Sequence, residues 1–399
     1  MKLVPLDELA TFMSGSTPAR KSPEYFGGGI PWVKTTDLNN GLILHTEETL
    51  TQLGIENSSC KMVPPGAVLV AMYGGFRQIG RTGLLTQACA INQALTAIIP
   101  KDGLLDSSYL LEWLNLSVNY WKRFAGSSRK DPNITKADVA DFPVPLLPIS
   151  QQRACAAIIS EWSQATITTE RLIAAKQKLL RAYQHRHLDE AKWHSVRISD
   201  LFDPVTRKVD KDETPVATIS AGRGFLMQQD RFNRILAGLN LANYTALRRG
   251  EFAYNKGNSK TYEFGCVYQL TAYPELAIPN VYVSFTPKVQ LVPEFYALWF
   301  EADMLKPQLR RVVNSGVRND GLLNINAETF FSLTVPHPPL PQQESITRAF
   351  LAIKREVALL GMQLDVLRKQ KRGLMKKLLT GEWLPPICNN GGTRASICL

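Results

Sequence analysis

Five loops of this chain, each containing or following a glycine, carry side chains suited to contact a polyanion. Arginine and lysine can bond guanine edges, asparagine and glutamine can read adenine, and glycine lets the backbone approach a phosphate. A single loop of this kind is usually only solvated, but five at matching places in two halves of the chain predict nucleic-acid binding. The loops are YGGFRQIGR (73–81), SSRKDPN (127–133), SAGRGFLMQQDRFNR (220–234), YNKGNSKTY (254–262) and NSGVRND (314–320).

We expect the direct contacts with bases from residues of these loops and of the stretch IPWVKTTDL (30–38). The choice depends on loop position and on side-chain chemistry. The candidates in the first half are Lys34, Thr35, Tyr73, Arg77, Gln78 and Arg129. The candidates in the second half are Arg223, Gln228, Lys256, Asn258, Lys260 and Arg318.

The composition of the chain agrees with a polyanionic partner. The formal net charge is +11 and the sequence pI is about 9.3. A basic protein without such a partner is the alternative explanation of this charge. Apolar residues make up 45% of the chain, which is typical of a globular protein. A length of 399 residues exceeds one ordinary core, so two or more domains are expected.

The sequence favours a location in a reducing cytoplasm. The six cysteines form no CxxC pair, and sparse, unpaired cysteines suit that compartment. The N-terminal stretch MKLVPLDELA has too short an apolar run for a signal peptide. No stretch approaches 18 uninterrupted apolar residues, so we expect no membrane span.

Motifs of the common nucleic-acid enzymes do not occur in the sequence. It has no GxxxxGK[ST] phosphate loop, no Asn/Asp-Pro-Pro-aromatic stretch of an amino-methyltransferase and no nuclease-like group of carboxylates. His185 and His187 are two residues apart on a predicted helix and would face different sides, which disfavours a metal site. The glycine-rich stretch YFGGGIP (25–31) is predicted to be a loop rather than a cofactor cradle. We therefore expect no catalytic residues, no metal and no cofactor in this chain.

The chain repeats one unit of about 150 residues. PLLPISQQ ends at Gln152 and PPLPQQ ends at Gln343, and their neighbourhoods match in the same order. SYLLEWLN (108–115) resembles EFYALWFE (294–301), and a long helical stretch containing KQK follows each glutamine pair. Short β-rich runs separated by glycine, asparagine and proline predict two mixed, strand-rich domains.

Both long stretches predict helices with an apolar seam. Each helix would have about 35–40 residues and a length of roughly 55–60 Å. Alternating spacings of three and four residues favour pairing with another helix, although each seam could also pack on its own domain. The seam of the first helix includes Ile158, Trp162, Leu172 and Leu179. The seam of the second helix includes Phe350, Ile353, Val357, Leu360, Leu364, Leu367, Leu374 and Leu378, with Lys371 as its polar member.

The second helical stretch is basic. Nine arginines and lysines oppose three acidic residues within residues 342–381. Such a face could contact phosphates, bind an acidic surface of a partner, or simply be a solvated helix flank.

The repeat, the helices and the loop chemistry together resemble the specificity subunit of type I restriction–modification enzymes. The resemblance covers residues 1–384. Its most specific elements are the two glutamine junctions, GSTPARKSPEYFGGGIPWVKTTDL (15–38), and LRKQKRGLMKKLLTGEW (367–383). The second domain opens with DETPVATISAGRGFLMQQDRF (212–232), which looks like a different variety of recognition domain. The two domains should therefore read different sequences.

The resemblance implies an α+β fold with two mixed α/β target-recognition domains, two long antiparallel coiled-coil helices and a pseudo-two-fold internal repeat. The implied segments are a first recognition domain (1–150), a first spacer helix (151–190), a second recognition domain (191–341), a second spacer helix (342–384) and a C-terminal tail (385–399). The tail lies outside the family pattern and has no assigned role.

The resemblance also implies a function. Such a subunit reads an asymmetric, bipartite target in double-stranded DNA, with one half-site for each recognition domain. It recruits two methyltransferase subunits, which use S-adenosylmethionine to methylate adenine N6, and restriction subunits, which use ATP and Mg. The subunit itself has no catalytic residues and acts in the bacterial or archaeal cytoplasm. A self-contained enzyme, a structural coiled-coil adaptor and a role in another phage-defence methylation system are the alternatives.

Overall fold

The computed structural model describes residues 2–75, 78–124, 133–188, 193–210, 214–227, 241–257, 262–312, 323 and 325–385. The chain folds into two compact units. Unit 1 comprises Met1–Arg171 and Met362–Leu399, and unit 2 comprises Leu172–Gly361. Each unit therefore contains one globular domain together with a segment of each long helix.

Unit 1 is a mixed domain of short strands and helices. Its helices are α1 (Leu6–Leu9), α2 (Gln52–Glu56), α3 (Ser107–Leu116), α4 (Val118–Phe124), α5 (Lys136–Ala140) and the first part of α6 (Ile149–His187). Its strands are β1 (Leu3–Pro5), β2 (Ala10–Ser14), β3 (Phe26–Val33), β4 (Gly41–Ile43), β5 (Glu48–Leu50), β6 (Val68–Ala71), β7 (Thr82–Leu85), β8 (Ala90–Ile91), β9 (Leu95–Pro100) and β10 (Pro143–Pro145).

Unit 2 repeats this succession with the same number of described strands and one described helix fewer. Its helices are α7 (Ile198–Leu201), α8 (Pro293–Glu301), α9 (Lys306–Val312), α10 (Ala327–Ser332) and the first part of α11 (Leu340–Leu379). Its strands are β11 (Ser195–Arg197), β12 (Phe202–Pro204), β13 (Ala217–Ser220), β14 (Gly224–Met227), β15 (Thr245–Arg248), β16 (Phe252–Asn255), β17 (Cys266–Gln269), β18 (Glu275–Ile278), β19 (Val283–Pro287) and β20 (Thr334–Pro336).

The central sheets of the two units share one strand order. The order is β2-β9-β6-β7-β4 in unit 1 and β12-β19-β16-β17 in unit 2. All neighbours are antiparallel except β4 and β7, which are parallel. In both units the first strand of the domain pairs with the strand just before the long helix, β1 with β10 and β11 with β20. The predicted α+β fold with an internal repeat is confirmed.

Apolar residues form the core of each domain, which packs against its central sheet. In unit 1, α3 begins at Asp106, whose carboxylate accepts hydrogen bonds from the backbone of Ser108 and Tyr109. One face of α3 is buried on the sheet. The core of unit 2 is more aromatic, with Phe252 and Phe285 stacked at a centroid distance of 5.3 Å.

The stretch YFGGGIP is not a loop. Residues Phe26–Val33 form β3, which pairs with β5 on one side and β8 on the other. The register shifts between Phe26 and Ile30, so the glycines sit in an irregular part of the strand. Gly28 needs to be small, because a Cβ there would lie 2.4 Å from the carbonyl oxygen of Leu50.

The side chain of the second glutamine of each pair forms hydrogen bonds that join the domain to the start of the long helix. Gln152 and Gln343 are both fully buried. Gln152 accepts a hydrogen bond from the backbone of Asp106 at 2.8 Å and donates to Leu104 and Leu147. Gln343 accepts from the backbone of Val292 at 2.9 Å and donates to Pro338. Asp106 and Val292 are the N-cap residues of α3 and α8. Each glutamine therefore connects the N-terminus of a domain helix to the start of a long helix.

The long helices begin two residues earlier than predicted. Ile149 and Leu340 each follow a proline, and Pro341 lies in the first turn of α11. Proline is tolerated there because the first turn needs no backbone donor. Helix α11 ends at Leu379, and Gly381, two residues further on, has a φ of 70° and donates from its backbone to Leu378.

Within each unit the two helix segments run antiparallel. In unit 1, Cys155 lies 3.8 Å from the carbonyl oxygen of Leu378, and Arg368 forms an ion pair with Glu170 at 2.7 Å. In unit 2, Lys176 forms an ion pair with Glu356 at 2.8 Å. None of the described helices is long and apolar enough to cross a membrane.

The structure corrects the predicted seam of the first helix. Leu172 and Leu179 are 42% and 49% exposed, so they do not line it. The less exposed positions are one residue further on, at Ile159, Ile173 and Leu180, while Trp162 and Ile158 are partly buried. The seam of α11 follows the predicted positions, which are its less exposed ones: Phe350, Ile353, Val357, Leu360, Leu364, Leu367, Leu374 and Leu378.

Candidate nucleic-acid interface

Several loops of unit 1 meet at one end of its five-stranded sheet. Strands β2 and β6 end there, whereas β9, β7 and β4 begin there, as the pairs Ser14 with Thr96 and Val70 with Thr82 show. The segments that enter or leave these strands are 15–17, 34–40, 72–75, 78–81 and 92–94. We call them the edge loops of unit 1.

A turn at Asn92–Ala94 lies between the other edge loops. Asn92 donates from its backbone to Val33 at 3.0 Å, and Met72 donates to Ala94 at 2.8 Å. Thr17 donates from its hydroxyl to the side-chain oxygen of Gln93. The segments that carry Lys34, Tyr73 and Gln93 are therefore held next to one another by backbone bonds within one domain.

The loop between β6 and β7 presents Tyr73, which is 41% exposed. Gly74, Gly75 and Gly80 all have a positive φ in this loop. Gly80 also needs to be small, because a Cβ would lie 2.4 Å from the buried ring of Trp121. The backbone is thus bent tightly enough to hold the Tyr73 ring at the surface of the domain.

Gln78 folds back over this loop. Its side chain packs beside Gly74, and its Oε1 is buried with no hydrogen-bond partner among the described residues. A buried carbonyl without a partner is costly. Contact of Gln78 with a base edge remains a prediction, and it would require this side chain to turn outwards.

Lys34 lies in a network of ion pairs. Its amine is 2.9 Å from Glu47 Oε2 and 2.6 Å from Glu48 Oε1. Burial lowers the pKa of Lys34, but the hydrogen bonds and charges of Glu47 and Glu48 outweigh it and hold this pKa above its usual value. Hydrogen bonds from Arg20 and Lys34 lower the pKa of Glu48 to about 2. Lys34 is therefore charged and already engaged by two carboxylates.

Thr35 begins the turn that follows Lys34. This turn covers Thr35–Asp37 and is fixed by Asp37, which accepts backbone hydrogen bonds from Lys34 at 2.7 Å and from Glu47 at 2.9 Å. The half-buried Thr35 is consequently presented on a rigid turn. Its contact with a base remains a prediction.

The corresponding end of the sheet in unit 2 carries Lys256. Strand β16 ends there beside the start of β19 and of β17, with Tyr254 opposite Val283 and Asn255 opposite Cys266. Leu323 donates from its backbone to Lys256 at 3.0 Å. Lys256 thus occupies the place in unit 2 that the loop after β6 occupies in unit 1.

Arg223 lies on the turn between β13 and β14. Gly222 and Gly224 on either side of it have a positive φ, and the backbone of Gly222 donates to the hydroxyl of Tyr268 at 2.8 Å. The exposed Arg223 lines a cavity of about 490 Å³, whose wall also includes Tyr262, Glu301 and Lys354. Arg223 and Lys256 thus lie on different loops, one after β13 and the other after β16.

Six of the predicted base-contacting residues lie outside the described residues. They are Arg77, Arg129, Gln228, Asn258, Lys260 and Arg318. Sequence reasoning missed Thr17, Glu47, Asn92 and Gln93, which the fold brings to the edge loops of unit 1. No sequence signal identified them, because they come together only through the pairing of distant strands.

Several basic residues of α11 already have acidic partners. Lys354 pairs with Glu301 at 2.9 Å, and Arg368 pairs with Glu170. Burial raises the pKa of Glu112, and the positive charge of the half-buried Lys371 opposes this rise. Exposed pairs of this kind contribute about 0–1 kcal/mol to stability. Part of the basic face of α11 is thus a set of structural ion pairs.

The described residues contain no candidate metal site. No group of three or more His, Cys, Asp or Glu side chains that could hold a metal occurs among them. Burial raises the pKa of the Cys89 and Cys155 thiols to about 11 and that of the Cys266 thiol to about 12, so all three are protonated near neutral pH.

Residues 1–178 match the family model described as Type I restriction modification DNA specificity domain. The type I restriction enzyme MjaIX specificity subunit of Methanocaldococcus jannaschii is 27% identical over 160 residues, which cover 39% of this chain and 36% of that protein. The EcoR124I/EcoR124II specificity subunit of Escherichia coli is 23% identical over 175 residues, which cover 40% of each chain. The matched segment thus spans well under half the length of both relatives.

A solved structure extends the likeness to nearly the whole chain. The crystal structure of the type I restriction–modification system S subunit from M. genitalium superposes with a TM-score of 0.58 at 14% identity, covering 95% of this chain and 96% of the other. At this identity the comparison shows a common fold. The fold is shared by both units, including the half that the family model does not match.

Proposed function

We propose that this chain, a member of the specificity subunits of type I restriction–modification systems, reads a bipartite DNA target with one half-site for each unit. The observation that carries the proposal is the repeated sheet, which in both units ends in polar loops at the same strand ends. The side chains at these ends differ, with Tyr73 in unit 1 and Lys256 in unit 2. Different side chains at equivalent places favour different half-sites and hence an asymmetric target.

The long helices would set the gap between the half-sites. Helices α6 and α11 have 39 and 40 residues, and each contributes to both units. A helix of this length extends about 60 Å, and the separation of two reading domains fixes the half-site spacing. The two glutamine junctions support this role, because they hold each domain to the start of a long helix.

Partners would carry out the chemistry. The proposal includes two methyltransferase subunits, which bind S-adenosylmethionine and methylate adenine N6, and restriction subunits that use ATP and Mg. An approximate two-fold repeat in one chain can offer two similar surfaces to two copies of one partner. Such a complex would act on chromosomal DNA in the cytoplasm of a bacterium or archaeon.

Alanine substitutions should separate the two half-sites. With Tyr73→Ala, we expect the preference for the native bases of the first half-site over mismatched bases to fall about 10- to 100-fold, since a lost base contact is worth about 1–3 kcal/mol. With Lys256→Ala, we expect a comparable change confined to the second half-site. Methylome sequencing of cells that carry the variant with its methyltransferase partner measures both.

Val289→Ala is the matched control. Val289 is similarly exposed, at 41%, but follows the end of β19, whereas the start of that strand lies beside Lys256. The proposal predicts no change in either half-site with this variant. Equal effects of Tyr73→Ala on both half-sites would contradict the assignment of one half-site to each unit.

A further inference from the structure

Two carboxylates contact Lys34, and only one of them also contacts Arg20. Glu48 alone bridges Arg20 at 2.5 Å and Lys34 at 2.6 Å, and the Arg20 guanidinium also lies over the rings of Phe26 and Trp32. Glu47 adds a second partner to Lys34, yet its own side chain is 67% exposed. An ion pair this exposed adds little to the stability of the domain, so the Glu47 carboxylate is open to a further contact.

The Glu47 carboxylate is held in a defined orientation. Its Oε2 accepts a hydrogen bond from Lys34 at 2.9 Å and lies 3.5 Å from the hydroxyl of Thr36. Its backbone donates to Asp37, the residue that fixes the turn after Lys34. No hydrogen bond of Oε1 to another described residue is found. The side chain therefore presents one oxygen outwards from a fixed position.

This oxygen lies on the surface that unit 1 presents to DNA under the proposed function. Lys34 directly follows Val33, which is bonded to the Asn92 turn, and that turn is bonded to the loop carrying Tyr73. The charges of Arg20, Lys34, Asp37, Glu47 and Glu48 sum to −1, so this part of the surface does not attract phosphates. A carboxylate there can contribute only as a hydrogen-bond acceptor.

Resting on the proposed function, we propose that Glu47 is a base-reading residue of the first half-site. Its free oxygen accepts a hydrogen bond from the exocyclic amino group of cytosine or adenine in the major groove. The acceptor atoms of guanine and thymine in the same place would repel it. Lys34 is the positioning residue: it neutralises the carboxylate and fixes its direction, and it is not itself a reader of bases.

Two substitutions test this assignment in the complete complex with its methyltransferase partner. Methylation is measured on a DNA library that varies every base pair of the first half-site. The native chain should prefer cytosine or adenine at one position by about 10-fold or more. With Glu47→Gln, an uncharged side chain that can also donate, this preference should weaken or change at that position only. Lys34→Met should weaken the same preference and also lower methylation of all targets, because it leaves an unneutralised carboxylate near DNA.

Glu8→Gln provides the matched control. Glu8 is exposed in α1, beside the end of β9 that lies opposite the edge loops. Glu8→Gln removes the same charge as Glu47→Gln, but it should leave the base preference of both half-sites unchanged. A merely structural network would lower the melting temperature with Glu47→Gln and leave every base preference intact, and that result would overturn the inference. A native chain that shows no two-part target would instead overturn the proposed function.

Discussion

Replacing Gln152 by leucine should destabilise the chain by about 3–5 kcal/mol, and Gln343→Leu by about 2–4 kcal/mol. The leucine side chain fills most of the same space but cannot pair the buried backbone groups that the glutamines satisfy. Gln152 serves three such groups and Gln343 serves two. Each unsatisfied group costs about 1–3 kcal/mol. The midpoint of urea denaturation of the purified chain, followed by circular dichroism, measures the loss.

The adjacent glutamine supplies the control. Gln342 is exposed, and its side chain has no hydrogen bond to a described residue. Gln342→Leu should change the midpoint by no more than about 0.5 kcal/mol in equivalent stability. If Gln343→Leu shifted the urea midpoint no more than Gln342→Leu, the hydrogen bonds of the buried glutamine would not stabilise the junction.

Lengthening both long helices by one heptad should abolish methylation of the native target. Duplicating residues 165–171 in α6 and 362–368 in α11 preserves the 3/4 spacing of both seams. It adds about 10.5 Å to each helix, or roughly three base pairs of DNA. With the native gap, one domain would lose two or more base contacts of about 1–3 kcal/mol each. We expect methylation to fall about 100-fold or more.

The same variant should gain activity on a longer gap. Targets with the native half-sites and one to three added base pairs, assayed with the purified methyltransferase complex, measure this directly. Deleting the same two heptads should favour a shorter gap. Unchanged methylation of the native gap by both variants would show that the helices do not set the spacing.

The sequence predicted the repeated architecture because its strongest signals are local. The glutamine junctions and the spacing of Leu360, Leu364 and Leu367 need no knowledge of distant contacts. The seam of α6 was harder to predict. Leu172 and Leu179 are apolar and fit a 3/4 spacing, but so do Ile173 and Leu180 one residue further on. Packing against α11, rather than local pattern, decides between these two registers.

The candidate interface was predictable by region but not by side chain. The loop at Tyr73 and the stretch at Lys34 both lie at the same end of the sheet, as glycine and polar residues suggest. The role of Lys34 depends on Glu47 and Glu48, which reach it only because β5 pairs with β3. Loop position and side-chain chemistry predicted Lys34 as a reader of bases, and the fold supplies it with two carboxylates.

Long-read methylome sequencing of cells that carry the native chain with its partner subunits tests the central claim most directly. Comparison with cells that lack only this chain removes methylation from other sources. We predict adenine methylation at one asymmetric target with two different half-sites separated by a gap of fixed length. A continuous or palindromic target, or methylation that persists without this chain, would contradict the account.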